Sequence, residues 1–208
     1  MSGSSATLAS VVEVAVASRP HPESSRCGDS ALVQLTGYGA LLAVFDGLGH
    51  GDDAAEAAEL ALHTVRELAE HDVEAILQAC HRALHRSRGG VIGLAAVNER
   101  ADELHWVGVG NIEGLVRGTQ GERCRPTSSP GIVGSGQFRL HRQVVRFAPG
   151  DLLMMATDGI GRSAFDDIAI ADTAEETAQA ILFRHARPND DALVLIARRQ
   201  RGRGAPSS

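Results

Sequence analysis

Apolar residues in this chain fall into short runs separated by polar or glycine-containing segments. In residues 11–17, Val12, Val14 and Val16 alternate with other residues, and this two-residue period predicts a strand. Similar runs predict further strands at 31–37, 40–45, 91–97, 103–110, 112–117, 141–147, 152–157 and 192–198. Tyr38 and Gly39 separate the second run from the third and predict a hairpin turn between them.

Two consecutive helices are predicted after the third strand, and a further helix precedes the last strand. The first covers residues 52–71 and the last covers 174–186. The second covers 73–87 and carries its apolar side chains on one stripe, as an amphipathic helix does: Ile76, Leu77, Cys80, Ala83 and Leu84.

The order of these elements predicts the fold class. Strands come first, then two helices, more strands, and a final helix and strand, which favours an α+β fold with hairpin-connected sheets over a doubly wound parallel sheet. Neither an internal repeat nor a linker between two domains is visible in the sequence. We therefore expect a single domain over residues 1–199, followed by a disordered basic tail at 200–208.

Composition narrows the classes of function. The formal net charge of -6 argues against nucleic acid as the main partner. The sequence has no run of about 18 apolar residues that would cross a membrane, and its start lacks the pattern of a secretion signal. Cys27, Cys80 and Cys124 are odd in number and widely spaced, which fits reduced thiols better than disulfides or a zinc site. These features predict a cytoplasmic protein.

Aspartates stand at the ends of several predicted strands. Asp46 and Asp158 each follow an apolar strand and precede a glycine, Asp29 lies in the segment CGDS, and Asp190 and Asp191 precede the last strand. Each Asp-Gly pair alone is typical of an ordinary turn. Carboxylates at the ends of adjacent strands converge, however, and unpaired negative charges within a few ångströms repel unless cations lie between them. Oxygen ligands favour Mg²⁺ or Mn²⁺ over zinc.

The segment VFDGLGHG at 44–51, between a strand and a helix, also has the position of a nucleotide-binding loop. The dinucleotide pattern G-x-G-x-x-G would need glycine where Asp52 stands, and a negative charge there opposes pyrophosphate. The patterns G-x-x-x-x-G-K-[ST] and G-x-S-x-G are absent from the sequence. Nucleotide binding and covalent hydrolysis by a serine are therefore disfavoured.

Taken together, these segments resemble the motifs of the metal-dependent protein serine/threonine phosphatases of type 2C. The resemblance rests on GD at 28–29, VFDGLGHG at 44–51, ATDG at 156–159 and NDDALVL at 189–195, in that order. Within that family the chain is most similar to the bacterial branch that includes the sporulation stage II E phosphatase and the stressosome-resetting phosphatase of the sigma-B pathway. The resemblance implies an α-β-β-α sandwich of two antiparallel sheets flanked by helices, with two Mn²⁺ or Mg²⁺ ions at one end.

The resemblance also implies roles for individual residues. Asp46 would bridge the two metals, the Gly47 carbonyl would bind one of them, and Asp29 would support the second metal. Asp158 and Asp190 would hold the first metal, so Asp46 and Asp158 are the expected catalytic residues. Asp191 lies one place past the matching position and is expected to be a neighbour. Two such ions would activate a water molecule, which removes the need for a protein nucleophile.

The sequence also departs from the family pattern. Leu48 stands where many eukaryotic members have a histidine thought to protonate the leaving group. Asn111 stands where an aspartate helps some members to bind a third metal. A phosphate-binding arginine has no clear counterpart, so His50 and Arg26 are the candidates for contacting substrate.

The function that follows is hydrolysis of phosphoserine or phosphothreonine on a regulatory protein. The resemblance implies a stressosome scaffold or an anti-sigma antagonist as the phosphorylated partner, with neither nucleic acid nor membrane involved. Two alternatives stay open from the sequence. One is a phosphoprotein-binding module that has lost turnover, and the other is a metal-dependent hydrolase of small phosphoesters.

Overall fold

The computed structural model describes residues 2–8, 11–166, 168 and 170–200, and two β-sheets packed face to face form its centre. The strands are β1 (Ser2–Leu8), β2 (Val12–Arg19), β3 (Asp29–Thr36), β4 (Gly39–Gly47), β5 (Gly90–Asn98), β6 (Glu103–Val109), β7 (Glu113–Arg117), β8 (Arg123–Cys124), β9 (Gln143–Arg146), β10 (Leu152–Ala156) and β11 (Ala192–Arg199). The helices are α1 (Asp52–Glu67), α2 (Val73–Ala83) and α3 (Ala174–His185).

Both sheets are antiparallel. One has six strands in the order β1-β2-β11-β10-β7-β8, and the other has five in the order β3-β4-β5-β6-β9. Each neighbouring pair of named strands runs antiparallel. The predicted α+β class with hairpin-connected sheets, and the α-β-β-α sandwich implied by the resemblance, are both confirmed.

Three layers of apolar side chains hold the sandwich together. The middle layer lies between the two sheets and includes Trp106, which is fully buried. A second layer packs α1 and α2 onto the five-stranded sheet through residues such as Leu41 and Ile76. The third packs α3 onto β2 and β11 of the six-stranded sheet, with Ile181 among its members. Burial on both faces explains why the central strands β5, β10 and β11 read as nearly continuous apolar runs.

Element boundaries differ from the predictions in a few places. The first helix ends at Glu67 rather than near residue 71, because the chain turns at Leu68. The second helix ends at Ala83 and continues as a short 3₁₀ turn at Leu84–Arg86. Strands β1 and β8 were not predicted, since the sequence of β1 has little apolar alternation and β8 is two exposed residues. The single domain over 1–199 stays a prediction, and residues 201–208 of the expected tail lie outside the described residues.

The length and apolar character of the helices decide whether any of them could span a membrane. In the described ranges, none of the helices is both long enough and apolar enough to cross a bilayer.

Candidate active site

Antiparallel pairing brings the strand-end aspartates to one end of the sandwich. Asp29 opens β3 and is the direct cross-strand partner of Asp46, near the end of β4. In the other sheet β10 and β11 are neighbours, so Asp158, just after β10, and Asp190, just before β11, lie at a shared sheet end. Four carboxylates that are distant in the sequence therefore come from two strand pairs, β3 with β4 in one sheet and β10 with β11 in the other.

Thr157 joins these two strand pairs. Its hydroxyl donates a hydrogen bond of 2.7 Å to Oδ2 of Asp29, in the five-stranded sheet. The same hydroxyl oxygen accepts a 3.0 Å hydrogen bond from the backbone N–H of Leu193, in the six-stranded sheet. Thr157 and Asp29 are both buried, so this contact holds the Asp29 side chain against the opposite sheet.

A cavity of about 560 Å³ opens over these carboxylates. Asp46, Asp158 and Asp190 line it on the acidic side. Pro130 and Gly131, from the glycine-rich loop 127–137, line it on another side. The carboxylates are thus accessible to a ligand as large as a phosphorylated side chain.

Burial and mutual repulsion raise the pKa of several of these acids. Loss of hydration raises the pKa of Asp46 to about 7, with further contributions from the negative charges of Asp158, Asp190 and Asp191. Loss of hydration, and then the charge of Asp46, place the pKa of Asp29 well above its usual value. The pKa of Asp190 is also raised, mainly by burial and by Asp158, while the nearby Arg187 lowers it. A cation at this end of the sandwich would relieve the repulsion.

Asp191 is not among the aspartates that line the cavity. Its two carboxylate oxygens accept hydrogen bonds from the backbone N–H of His21, at 2.7 Å, and of Gly28, at 3.0 Å. The side chain is buried and anchors the loop that precedes Asp29. Both carboxylate oxygens of Asp191 are therefore engaged by backbone N–H donors, and its role beside the site stays a prediction.

Gly47 allows helix α1 to start close to the site. A Cβ atom at this position would lie 2.5 Å from the carbonyl oxygen of Ala54, in the first turns of the helix. The Gly47 N–H donates a 3.1 Å hydrogen bond to the carbonyl of Gly28, which ties the loop to the segment leading into β3. A side chain at position 47 would therefore displace either the helix or the loop that carries Asp46.

The structure also shows where the residues that differ from the family pattern lie. The Asn111 side-chain amide donates a 2.9 Å hydrogen bond to Oδ2 of Asp158, so a neutral donor contacts that carboxylate. Leu48 lies exposed at the cavity, and His50 also lines it. Arg26 does not line the cavity, because its guanidinium pairs with Asp52 and Glu59 of α1. The structure thus places His50, and not Arg26, in the lining of the cavity.

His21 is a cavity residue that the sequence interpretation missed. It lies between Pro20 and Pro22 in the loop that follows β2, and its ring stacks on that of His50. The two flanking prolines were the available signal, because they restrict the backbone on both sides of a potentially reactive side chain.

The donor set fits divalent cations such as Mg²⁺ or Mn²⁺. Only oxygen atoms are offered by the clustered side chains of Asp29, Asp46, Asp158 and Asp190, and hard divalent ions prefer oxygen. In the described part of the chain, however, no three His, Cys, Asp or Glu side chains already converge closely enough to ligate one ion.

Comparisons with known proteins identify the family. The family model for stage II sporulation protein E matches residues 36–200. The phosphoserine phosphatase RsbX of Bacillus subtilis is 26% identical over 136 residues, which are 65% of this chain and 68% of that protein.

Two solved structures resemble the whole fold. One, from work on the bacterial stressosome, is 32% identical, with a TM-score of 0.82 covering 90% of this chain and 99% of that chain. A structure of RsbX in complex with magnesium is 23% identical, with a TM-score of 0.81 covering 91% of this chain and 96% of that one. The chain belongs to the SpoIIE family and is a protein serine/threonine phosphatase of type 2C.

Proposed function

We propose that this phosphatase removes phosphate from serine or threonine of a bacterial stress-signalling regulator, either a stressosome scaffold protein or an anti-sigma antagonist. Two relatives support this choice of partner. RsbX is a phosphoserine phosphatase, and the structure that is 32% identical to this chain comes from work on the bacterial stressosome. The proposal includes a cytoplasmic location, which the three free thiols support, and residues 1–199 acting as one catalytic domain.

The observation that carries the proposal is the acidic end of the sandwich. Asp46, Asp158 and Asp190 face a cavity of about 560 Å³, with Asp29 buried directly beside Asp46. Such a concentration of carboxylates repels a phosphate group unless cations lie between them. The site therefore supports phosphate chemistry only as a metal centre.

Each residue then has a role in that centre. Asp46 would contribute to holding both metal ions and the Gly47 carbonyl to holding one of them. Asp29 would support the second ion, and Asp158 with Asp190 would hold the first. When bound, two Mn²⁺ or Mg²⁺ ions would supply a water of lowered pKa and neutralise charge on the phosphate oxygens. Thr157 fixes the orientation of Asp29, and the Asn111 amide holds Asp158 by a 2.9 Å hydrogen bond.

The test is dephosphorylation of a defined protein substrate. The purified protein, with Mn²⁺ or Mg²⁺, is incubated with a phosphorylated stressosome scaffold protein, a phosphorylated anti-sigma antagonist, and separately with p-nitrophenyl phosphate. We expect release of phosphate from at least one of the two proteins, with kcat/KM at least about 10²-fold above that for the small ester, because remote contacts contribute to transition-state binding.

The other outcomes identify the alternatives. Hydrolysis of p-nitrophenyl phosphate alone would indicate a small-phosphoester hydrolase and contradict the proposed substrate. Binding of the phosphoprotein without turnover of either compound would indicate a binding module that has lost activity.

Stability of the metal-free protein is expected to depend on pH through Asp46. Its pKa in the folded state is about 7, against 3.8 for the unperturbed group, so between these values the folded state binds a proton that the unfolded state does not. The free energy of unfolding therefore falls as pH rises from about 4 to about 7, and the loss is complete above that range. A bound cation removes this cost, so Mn²⁺ should raise Tm more at pH 8 than at pH 6.

Thermal unfolding at several pH values, with Mn²⁺ or with a chelator, measures this effect. The Asp46→Asn variant serves as the control, and its metal-free Tm should vary less with pH in the same range. An equal Mn²⁺-induced shift at pH 6 and pH 8 in the unaltered protein would contradict the expectation.

A further inference from the structure

His21 and His50 form a parallel aromatic pair at the cavity. Their ring centroids are 4.5 Å apart and their planes differ by 8°. Both rings line the cavity together with Asp46 and Asp158. One ring comes from the loop after β2 and the other from the loop between β4 and α1, so the folded chain creates the pair beside the proposed centre.

The two rings are held differently. Nδ1 of His21 accepts a 3.1 Å hydrogen bond from the backbone N–H of Glu23, so that nitrogen carries no proton. The His21 backbone N–H is also fixed, by its hydrogen bond to Asp191. His50 is exposed, and within the described ranges its ring has no hydrogen-bond partner. His21 is therefore the anchored ring, while the nitrogens of His50 are available to a ligand in the cavity.

The pair is not arranged as a metal site. Each imidazole nitrogen directs its lone pair in the plane of its own ring, and two parallel stacked rings direct these lone pairs side by side. A single ion cannot accept both of them along their axes. Stacking does suit a protonated ring against a neutral one, because a cation is attracted to the face of an aromatic ring.

Hydrolysis of a phosphoserine needs a proton donor at the leaving oxygen. A seryl alkoxide is a strong base and leaves slowly unless it is protonated as the bond to phosphorus breaks. Leu48, at the cavity, has no proton to give, and the clustered carboxylates are committed to cations in the proposed function. Imidazole is the side chain that exchanges a proton near neutral pH.

We infer that His50 donates this proton and that His21 is the positioning residue that holds it by stacking; this rests on the proposed function. The water oxygen forms a bond to phosphorus while the bond from phosphorus to the seryl oxygen breaks. The His50 imidazolium transfers its proton to the seryl oxygen, which leaves as a neutral hydroxyl. The neutral His50 ring then regains, through solvent, the proton that the attacking water gave up.

Dependence on the leaving group tests this assignment. A phosphoserine peptide has a poor leaving group that needs protonation, whereas p-nitrophenyl phosphate has a good one that does not. We expect His50→Ala to lower kcat for the peptide by about 10²-fold and kcat for p-nitrophenyl phosphate by less than about 3-fold. His21→Ala should show the same selectivity with a smaller loss, and added imidazole should restore part of the peptide activity of His50→Ala.

Two further measurements separate this role from a structural one. The Mn²⁺-induced shift in Tm should be the same in His50→Ala as in the unaltered protein, since His50 is not a proposed ligand. His85→Ala, the same change at an exposed histidine outside the cavity, should leave both activities unchanged. Equal losses on the two substrates in His50→Ala would overturn the inference, whereas an unaltered protein inactive on both would instead contradict the proposed function.

Discussion

Replacing Asp46 with asparagine is expected to lower kcat by about 10³-fold or more while leaving the protein folded. The proposed function places Asp46 between both metals, and loss of a shared ligand removes several kcal/mol of charge stabilisation from the transition state. The same change should raise the metal-free Tm at pH 8, because it removes a partly buried charge whose pKa is displaced to about 7. The free energy of unfolding should increase by roughly 1–3 kcal/mol, which would raise Tm by several degrees.

The measurement combines steady-state kinetics with thermal unfolding, with and without Mn²⁺. Asp52→Asn is the matched control, because it makes the same chemical change at an exposed aspartate a few residues further along the chain. We expect the control to keep its activity and its Mn²⁺-induced Tm shift. Near-normal turnover in Asp46→Asn would exclude the proposed metal centre.

Replacing Gly47 with alanine is expected to have the second largest effect, on stability and activity together. The new Cβ would lie 2.5 Å from the Ala54 carbonyl oxygen, at a buried position where the backbone of helix α1 has little freedom to move. Forced repacking of this kind costs roughly 1–3 kcal/mol, which would lower Tm by about 3–10 °C. Displacement of the loop should also reduce kcat, because the proposed mechanism uses the Gly47 carbonyl.

Gly37→Ala provides the comparison for this variant. A Cβ at position 37 would find its nearest neighbour, an oxygen of Glu70, at 3.6 Å, which is an ordinary contact. Denaturant unfolding of the two variants should show that Gly37→Ala changes the free energy of unfolding by less than about 0.5 kcal/mol. A Gly47→Ala protein as stable and active as the Gly37→Ala protein would contradict the close packing of α1 on the loop.

The gathering of the aspartates at one end of the sandwich could be predicted because their signal is local. Asp46 and Asp158 each interrupt an apolar strand and precede glycine, and antiparallel pairing then places them at strand ends. The sandwich itself could be predicted for the same reason, since its central strands are buried on both faces and therefore read as apolar runs. Where burial or a strand end determines the residue type, the sequence pattern is sufficient to predict the structural element.

The residues that were missed depend on tertiary contacts instead. His21 reaches the cavity only through the loop that Asp191 anchors, and a threonine such as Thr157 at a strand end has no distinctive sequence pattern. Arg26 shows the opposite relation, because it is near Asp29 in the sequence while its side chain pairs with the acids of α1. Proximity along the chain was a poor guide to which polar groups share a site.

The hydroxyl bridge at Thr157 bears on where the chain can accept insertions. One oxygen atom connects the two layers beside the acidic cluster, so lengthening the segments at that end would shift one layer relative to the other. The hairpin turn at Tyr38 and the loop at 99–102 lie at the opposite end of the five-stranded sheet. Peptide tags or added domains are thus best introduced at those distal turns, where extra residues leave the alignment of the layers intact.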